Sequence, residues 1–437
     1  MRLLTTLALA TVFTLAEARA AEPVSLERTL VRAAPDVLKY CRGKGYKTVG
    51  VLKFLGHKEG YAGLSDSLGT LNRTVARQLE LGLILANDRN DPLGVLDNPS
   101  DVAAKTVGAN HLTKAGRLKL FEAKYPLAWG TEAVKADAFV TGVVGVSQDL
   151  KTLTVKLLAF DPTSNKLEPV GADLVAANDP RKLAEMGESF TRGAFDDGKV
   201  EAKEQEKRDQ ETLAKAVQVK TQVVKNPAQD AAAPVALDIL YDGKVVPVEL
   251  RDGKAFVAEP AEGQAVTFRL RRNAAKGRFA CVLKVNGENT LFRQKLPDVN
   301  CRKWLLFPEN TDGVVVAGFQ KTDDATEQFR VLPKAESKAR EVDYGADVGT
   351  VTLTVFGESK GLPPAGDNSR ESLDTKALEN AKPAKAKDFD VLTAQLLQDA
   401  ERGLIAEGTT VGSKIAIVKF QADPQPLMSL TVTYYKK

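Results

Sequence analysis

The sequence predicts an α+β multidomain protein: a mixed α/β sandwich block followed by an all-β, sandwich-like region. Three observations carry that expectation. The stretch "ADAFVTGVVGVSQDLKTLTVKLLAFDP" (136–162) reads as two antiparallel strands, the second alternating cleanly. A period of two with one polar face marks a strand half open to water. Upstream of it, Leu68, Leu71, Val75, Leu79 and Leu83 recur at helical spacing. From Val235 onward, strand-length apolar runs alternate with Asp-Gly and Asn-Gly pairs, the residues that hairpin turns prefer.

The chain opens on Met1 and Arg2, followed by an apolar run to Leu15 interrupted only by threonines, then Ala18-Arg19-Ala20. A short positive end, an apolar core too short to span a bilayer and small residues at the cleavage positions predict a signal peptide over 1–20. No cysteine follows that core, so no lipid anchor is indicated, and no later run is apolar enough to cross a membrane as a helix. The expected location is periplasmic or secreted.

The α/β block is expected over 21–195. "KTVGVLKFL" (47–55) is apolar on both faces, as in a strand covered on both sides. Ser65, Asp66 and Ser67 offer caps for the helix that follows. "NDRNDP" (87–92) is a loop by composition, and "TKAGRLKLFEAKY" (113–125) a helix ended by Pro126. Ala138 to Val146 and Thr152 to Phe160 form the hairpin, joined by Ser147 to Lys151. Asp179 caps a helix that begins at Pro180 and carries Leu183, Met186 and Phe190.

Residues 196–230 alternate charge sign, with Glu204–Arg208 and Glu211–Lys215 at the stabilising i,i+4 spacing. This predicts a charged helical linker in solvent. The β-sandwich is expected over 231–357, with turns at Asp242-Gly243, Asp252-Gly253, Asn286-Gly287 and Asp312-Gly313. A flexible polar loop is expected over 358–388. A helix and two strands over 389–437 are expected to complete the β domain.

Charge and composition exclude several functions. The net charge of +4 is small for 437 residues and its basic residues form no block, so neither a nucleic-acid groove nor a polybasic membrane patch is indicated. Cys41, Cys281 and Cys301 have no zinc-site spacing; Cys281 and Cys301, in the same β region, are candidates for a disulfide. The two histidines, His57 and His111, lack a nucleophile setting, and "GKGYKT" (43–48) lacks phosphate-loop spacing and precedes a strand. Asp323-Asp324 and Asp196-Asp197 read as solvated loop pairs. No catalytic residue, metal site or cofactor is expected. Trp304 and Trp129 are read as core residues, although an exposed Trp304 would be the residue to stack on a sugar ring.

"VGVLKFLG" (49–56), "LGTLNRTVARQLELGL" (68–83), "ADAFVTGVVG" (136–145) and "LTVKLLAFDPTSNK" (153–166) together resemble a secreted bacterial family. It is the curli-assembly lipoprotein (CsgG-like) family, to which the amino-terminal domain of TolB is similar. The resemblance spans about residues 45–190 and implies a small α/β domain for protein–protein assembly in the cell envelope, without catalytic residues. The family's lipid-bearing cysteine and long pore-lining hairpins are missing here. The region 231–437, with "KWLLFPEN" (303–310), is similar to β-sandwich domains of bacterial surface proteins.

The expected function is thus a non-enzymatic envelope scaffold or adaptor whose partners are envelope proteins. A glycan or wall-polymer module carried by the sandwich is the alternative. A hydrolase would need His57 or His111 gathered with Ser, Asp or Glu in a cleft.

Overall fold

A computed structural model describes residues 24–58, 68–88, 90–129, 132–164, 166–192, 202–274, 277–331, 349–359, 405–412, 415, 418 and 420–435. The predicted signal peptide, the polar loop from 360 and the helix predicted near 389–404 lie outside them, as do the caps at Ser65, Asp66 and Ser67.

The chain is α+β. Its first described element, α1 (Leu26–Gly43), is one the sequence reading did not assign. Ser25 caps it by accepting from the Arg28 amide. Leu26, Leu30, Ala33, Ala34, Val37, Leu38 and Cys41 form its buried stripe. α2 (Leu71–Ala86) lies against it, and Gly82 permits the close approach: a Cβ there would stand 3.2 Å from the Cβ of Ala34.

Beneath the helices runs a seven-stranded sheet. It contains β1 (Thr48–Val51), β2 (Leu55–Lys58) and β3 (Gly94–Val95). Two short helices, α3 (Pro99–Ala103) and α4 (Lys114–Leu120), and a separate hairpin of β4 (Tyr125–Pro126) and β5 (Ala133–Val134) follow. The sheet resumes with β6 (Ala138–Val146), β7 (Thr152–Phe160), β8 (Glu168–Pro169) and β9 (Leu174–Ala177). β1 and β2 pair with β6 in parallel, while β6 and β7 form the antiparallel hairpin the alternation predicts. Leu153, Val155, Leu157 and Ala159 of β7 face the core shared with α1 and α2. The opposite face is closed at one end by Phe139 and Phe160, whose rings lie 5.7 Å apart beneath Phe121 and Tyr125.

Two further elements leave this block. α5 (Pro180–Glu185) starts where predicted, with Asp179 accepting from the amides of Arg181 and Lys182. β10 (Phe190–Thr191) then departs from the first sheet altogether. The charged α6 (Ala202–Lys220) is not the solvent-surrounded linker expected: Leu213, Ala216 and Val219 are buried, and Leu213 and Ala216 belong to the core of α1 and α2. These three apolar residues at helical spacing, with the Arg192–Asp209 and Lys220–Glu188 ion pairs, seat it.

The remaining strands are β11 (Val235–Tyr241), β12 (Lys244–Val245), β13 (Glu249–Arg251), β14 (Lys254–Ala258), β15 (Val266–Arg272), β16 (Phe279–Val285) and β17 (Glu288–Asn289). They continue as β18 (Trp304–Leu306), β19 (Val314–Val316), β20 (Gly318–Thr322), β21 (Ala325–Val331), β22 (Thr350–Glu358), β23 (Ile405–Gly412) and β24 (Ala422–Tyr435). One eight-stranded sheet follows the order β13-β14-β24-β22-β16-β17, and a four-stranded sheet the order β12-β11-β15-β19. One apolar cluster draws on strands of both. Three of the four expected turn pairs have both residues at positive φ, as type I′ hairpins require. At Asp312-Gly313 only the glycine does.

β24 joins the two regions. It pairs with β14 in parallel, with β22 antiparallel, and with β10 from the first block through Phe190↔Ser429 and Thr191↔Met428. The Arg192 amide extends this by donating to the Leu427 carbonyl at 2.7 Å. The predicted boundary at 195–231 therefore does not separate two independent sheets.

Candidate functional site

A group of buried charges lies along this seam. Lys182, almost wholly buried, is ion-paired with Glu27 of α1. Arg181 pairs with its own cap residue Asp179 at 3.0 Å, and Arg192 with Asp209 of α6 at 2.7 Å. Across the seam, the 3-10 turn Asp298–Asn300 presents Asp298, held by Lys284 of β16 at 2.6 Å and by the Thr354 hydroxyl. The charges of Arg181 and Lys182 outweigh the burial of Asp179 and hold its carboxyl below the usual range.

Glu185 departs from this pattern. It is buried, its Oε2 accepts no hydrogen bond, and among the described residues no cation is ion-paired with it. It lines a cavity of about 10 Å³ together with Arg181, Ala184, Asp298, Val299, Thr354, Phe356 and Pro426. Burial, helped by the charges of Glu27 and Asp298 and opposed by Lys182, pushes its carboxyl up to about 7. The backbone fixes it firmly: its carbonyl accepts from the Thr70 amide at 2.9 Å. Gly69, at φ 55, approaches so closely that a Cβ there would stand 2.2 Å from the same oxygen.

This cavity is smaller than the roughly 300–1,000 Å³ of small-molecule pockets. Its one hydroxyl, Thr354, is committed to Asp298. What it offers chemically is proton exchange at a buried carboxyl. Sequence reading found the cap and the apolar side of α5 but missed Arg181, Lys182 and Glu185. A signal was present: charged residues interleaved with Leu183, Ala184 and Met186 in six or seven residues leave no face for solvent.

The residues singled out from sequence are not brought together. Cys281 and Cys301, the candidate disulfide pair, are free thiols. Cys281 joins Phe279 and Leu283 on one face of β16, whereas Cys301 packs with Ala280 and Val282 on the other. Alternation along the strand places the sheet between them, and burial pushes both thiols up. Cys41 is buried in α1. Trp304 is half-buried against the β core and its indole N–H donates to Thr290 Oγ1 at 2.9 Å. Trp129 packs on the core of the first block. His57 is exposed on β2, while His111 is buried in the loop between α3 and α4. Among the described residues, no group of three or more His, Cys, Asp or Glu is placed to hold a metal ion.

Among the described residues, β12, β19 and β9 present exposed valines at sheet edges. β19 ends the four-stranded sheet, with Val315 61% exposed beside Arg269 and Asp238 in one cross-strand row. Asp238 accepts from Arg269 at 2.8 Å and Arg271 at 2.6 Å, so the charges of this face are satisfied internally. β9, which borders β7, carries Val175 at 56% exposure. Among the described residues, no helix is long and apolar enough to cross a membrane.

No protein-family model matches the chain, and no curated protein does. Among solved structures it is similar to the LpoB C-terminal domain from Salmonella enterica, at 10% identity and a TM-score of 0.22, over 33% of this chain and 93% of that one. The LpoB C-terminal domain from Escherichia coli gives 10% and 0.23 over 34% and 97%. The solution structure of E. coli LpoB gives 8% and 0.22 over 41% and 82%. Likeness at this level bears on neither family nor activity.

Proposed function

We propose that the chain is a non-enzymatic scaffold or adaptor of the bacterial cell envelope, periplasmic or secreted, that acts by protein–protein contact. The observation that carries this reading is the open edge at β19. Three successive valines end a sheet there, the central one exposed, and no described strand pairs with the outer side. Unpaired edges left without a charge or proline are templates for adding a strand from another chain. The sequence resemblance to envelope assembly domains points the same way. Partners are thus expected to be envelope proteins that offer an extended segment.

A photocrosslinking residue at position 315 of the mature chain, exposed to envelope extract, tests this. Position 107, whose valine is exposed in the loop between α3 and α4 and belongs to no strand, is the control. One or two proteins captured at 315 and not at 107 are expected. Capture of nothing at 315, with retention of the chain on purified wall polymer, would favour the glycan-binding reading instead. That alternative has less to stand on, because the ring of Trp304 packs inward.

A further inference from the structure

Along the seam, five buried side-chain atoms lack a hydrogen-bond partner: Arg181 Nε, Glu185 Oε2, Thr191 Oγ1, Gln425 Oε1 and Thr431 Oγ1. They come from α5 and β10 on one side and β24 on the other. Other seam carboxylates have a cation: Glu27 has Lys182, Asp179 has Arg181, Glu188 has Lys220, Asp209 has Arg192 and Asp298 has Lys284. Among the described residues, no cation is ion-paired with Glu185. An ionised carboxylate with an unpartnered oxygen is costly to bury, whereas the neutral acid is tolerated and can donate.

We propose that Glu185 is a protonation-dependent latch between the two regions: neutral, it lets α5 seat against the Asp298 turn and β24, and ionised, it loosens that contact. Every group facing it bears on the balance. Its own helix brings Arg181 and Lys182 with the cap Asp179, α1 brings Glu27, and the turn brings Asp298. Behind Asp298 stand Lys284 and Lys303, and β22 adds the hydroxyl of Thr354. Burial weighs most at Glu185; Lys182 opposes it, and the like charges of Glu27, Asp298 and Asp179 add to it.

The sign follows from linkage. A carboxyl whose folded value, about 7, lies above its ordinary 4.5 contributes stability that is complete below 4.5 and lost as the pH rises through 7. The seam is therefore tightest in mild acid and loosens toward alkaline pH. This device is independent of the scaffold reading and holds whatever the partner proves to be.

The mature full-length chain labelled with carboxyl-¹³C glutamate tests it by NMR titration. One glutamate is expected to titrate near pH 7, and its resonance is expected to be absent from Glu185→Gln. Burial also pushes Asp209 up to about 7 against the opposing charge of Arg192, and selective labelling excludes it from the readout. Hydrogen exchange at the Arg192 and Thr431 amides, corrected for intrinsic rates, is expected to accelerate from about pH 5.5 to about pH 8 severalfold more in the wild type than in Glu185→Gln, where Asp209 still titrates. If every glutamate of the wild-type chain titrates near the usual value of about 4.3, the proposal is overturned, whether or not the variant folds. Equal pH dependence of seam exchange in wild type and Glu185→Gln would also overturn it.

Discussion

At the scale of single residues, the seam is held by charges that tolerate little change. Lys284 and Asp298 form a buried pair, with Lys284 also donating to the Leu296 carbonyl at 2.7 Å. Breaking such a pair leaves an uncompensated buried charge, which costs about 3–5 kcal/mol. Asp298→Ala should lose about that much in urea unfolding, whereas an exposed pair such as Lys119–Glu122 should lose under about 1 kcal/mol. Gly69→Ala should cost at least ~1 kcal/mol, because its positive φ and the nearby Glu185 carbonyl both exclude a side chain. Neither site was legible in the sequence. The turn pairs and the Asp179 cap were, because each acts through its immediate neighbours. The partners of Asp298 and Glu185 come from distant parts of the chain, and no local pattern carries them.

At the scale of elements, legibility follows one-sided burial. β7 alternates because helices cover one face and water the other, so its identity, partner and buried face could all be read. α1 carried an equally regular stripe, but Pro35 interrupts it as a helix signal. Its apolar residues also sit next to a segment expected to be cleaved. α6 misled in the opposite way, since its charge pattern outweighs a narrow apolar stripe. The difference is measurable. Leu213→Ala should destabilise by about 2–4 kcal/mol if the helix is seated in the core, as the structure has it. On a solvated spacer the same change would cost almost nothing.

At the scale of the whole molecule, the two regions read from composition are joined by β24, which arrives last in the chain and lies within the eight-stranded sheet. Sequence placed this strand with the β region but could not show that β10, more than 200 residues earlier, would pair with it. Register between strands so far apart has no local signature. Removing residues 422–437 should thus disturb both regions, with lost protection at Phe190 and Thr191 as well as in β14 and β22. The most direct test of the joined architecture is calorimetric unfolding of the mature chain at about pH 5.5, where the seam is tightest. The account predicts one cooperative transition whose calorimetric and van't Hoff enthalpies agree. Two separable transitions, with Asp298→Ala lowering only the one that belongs to the β region, would contradict it.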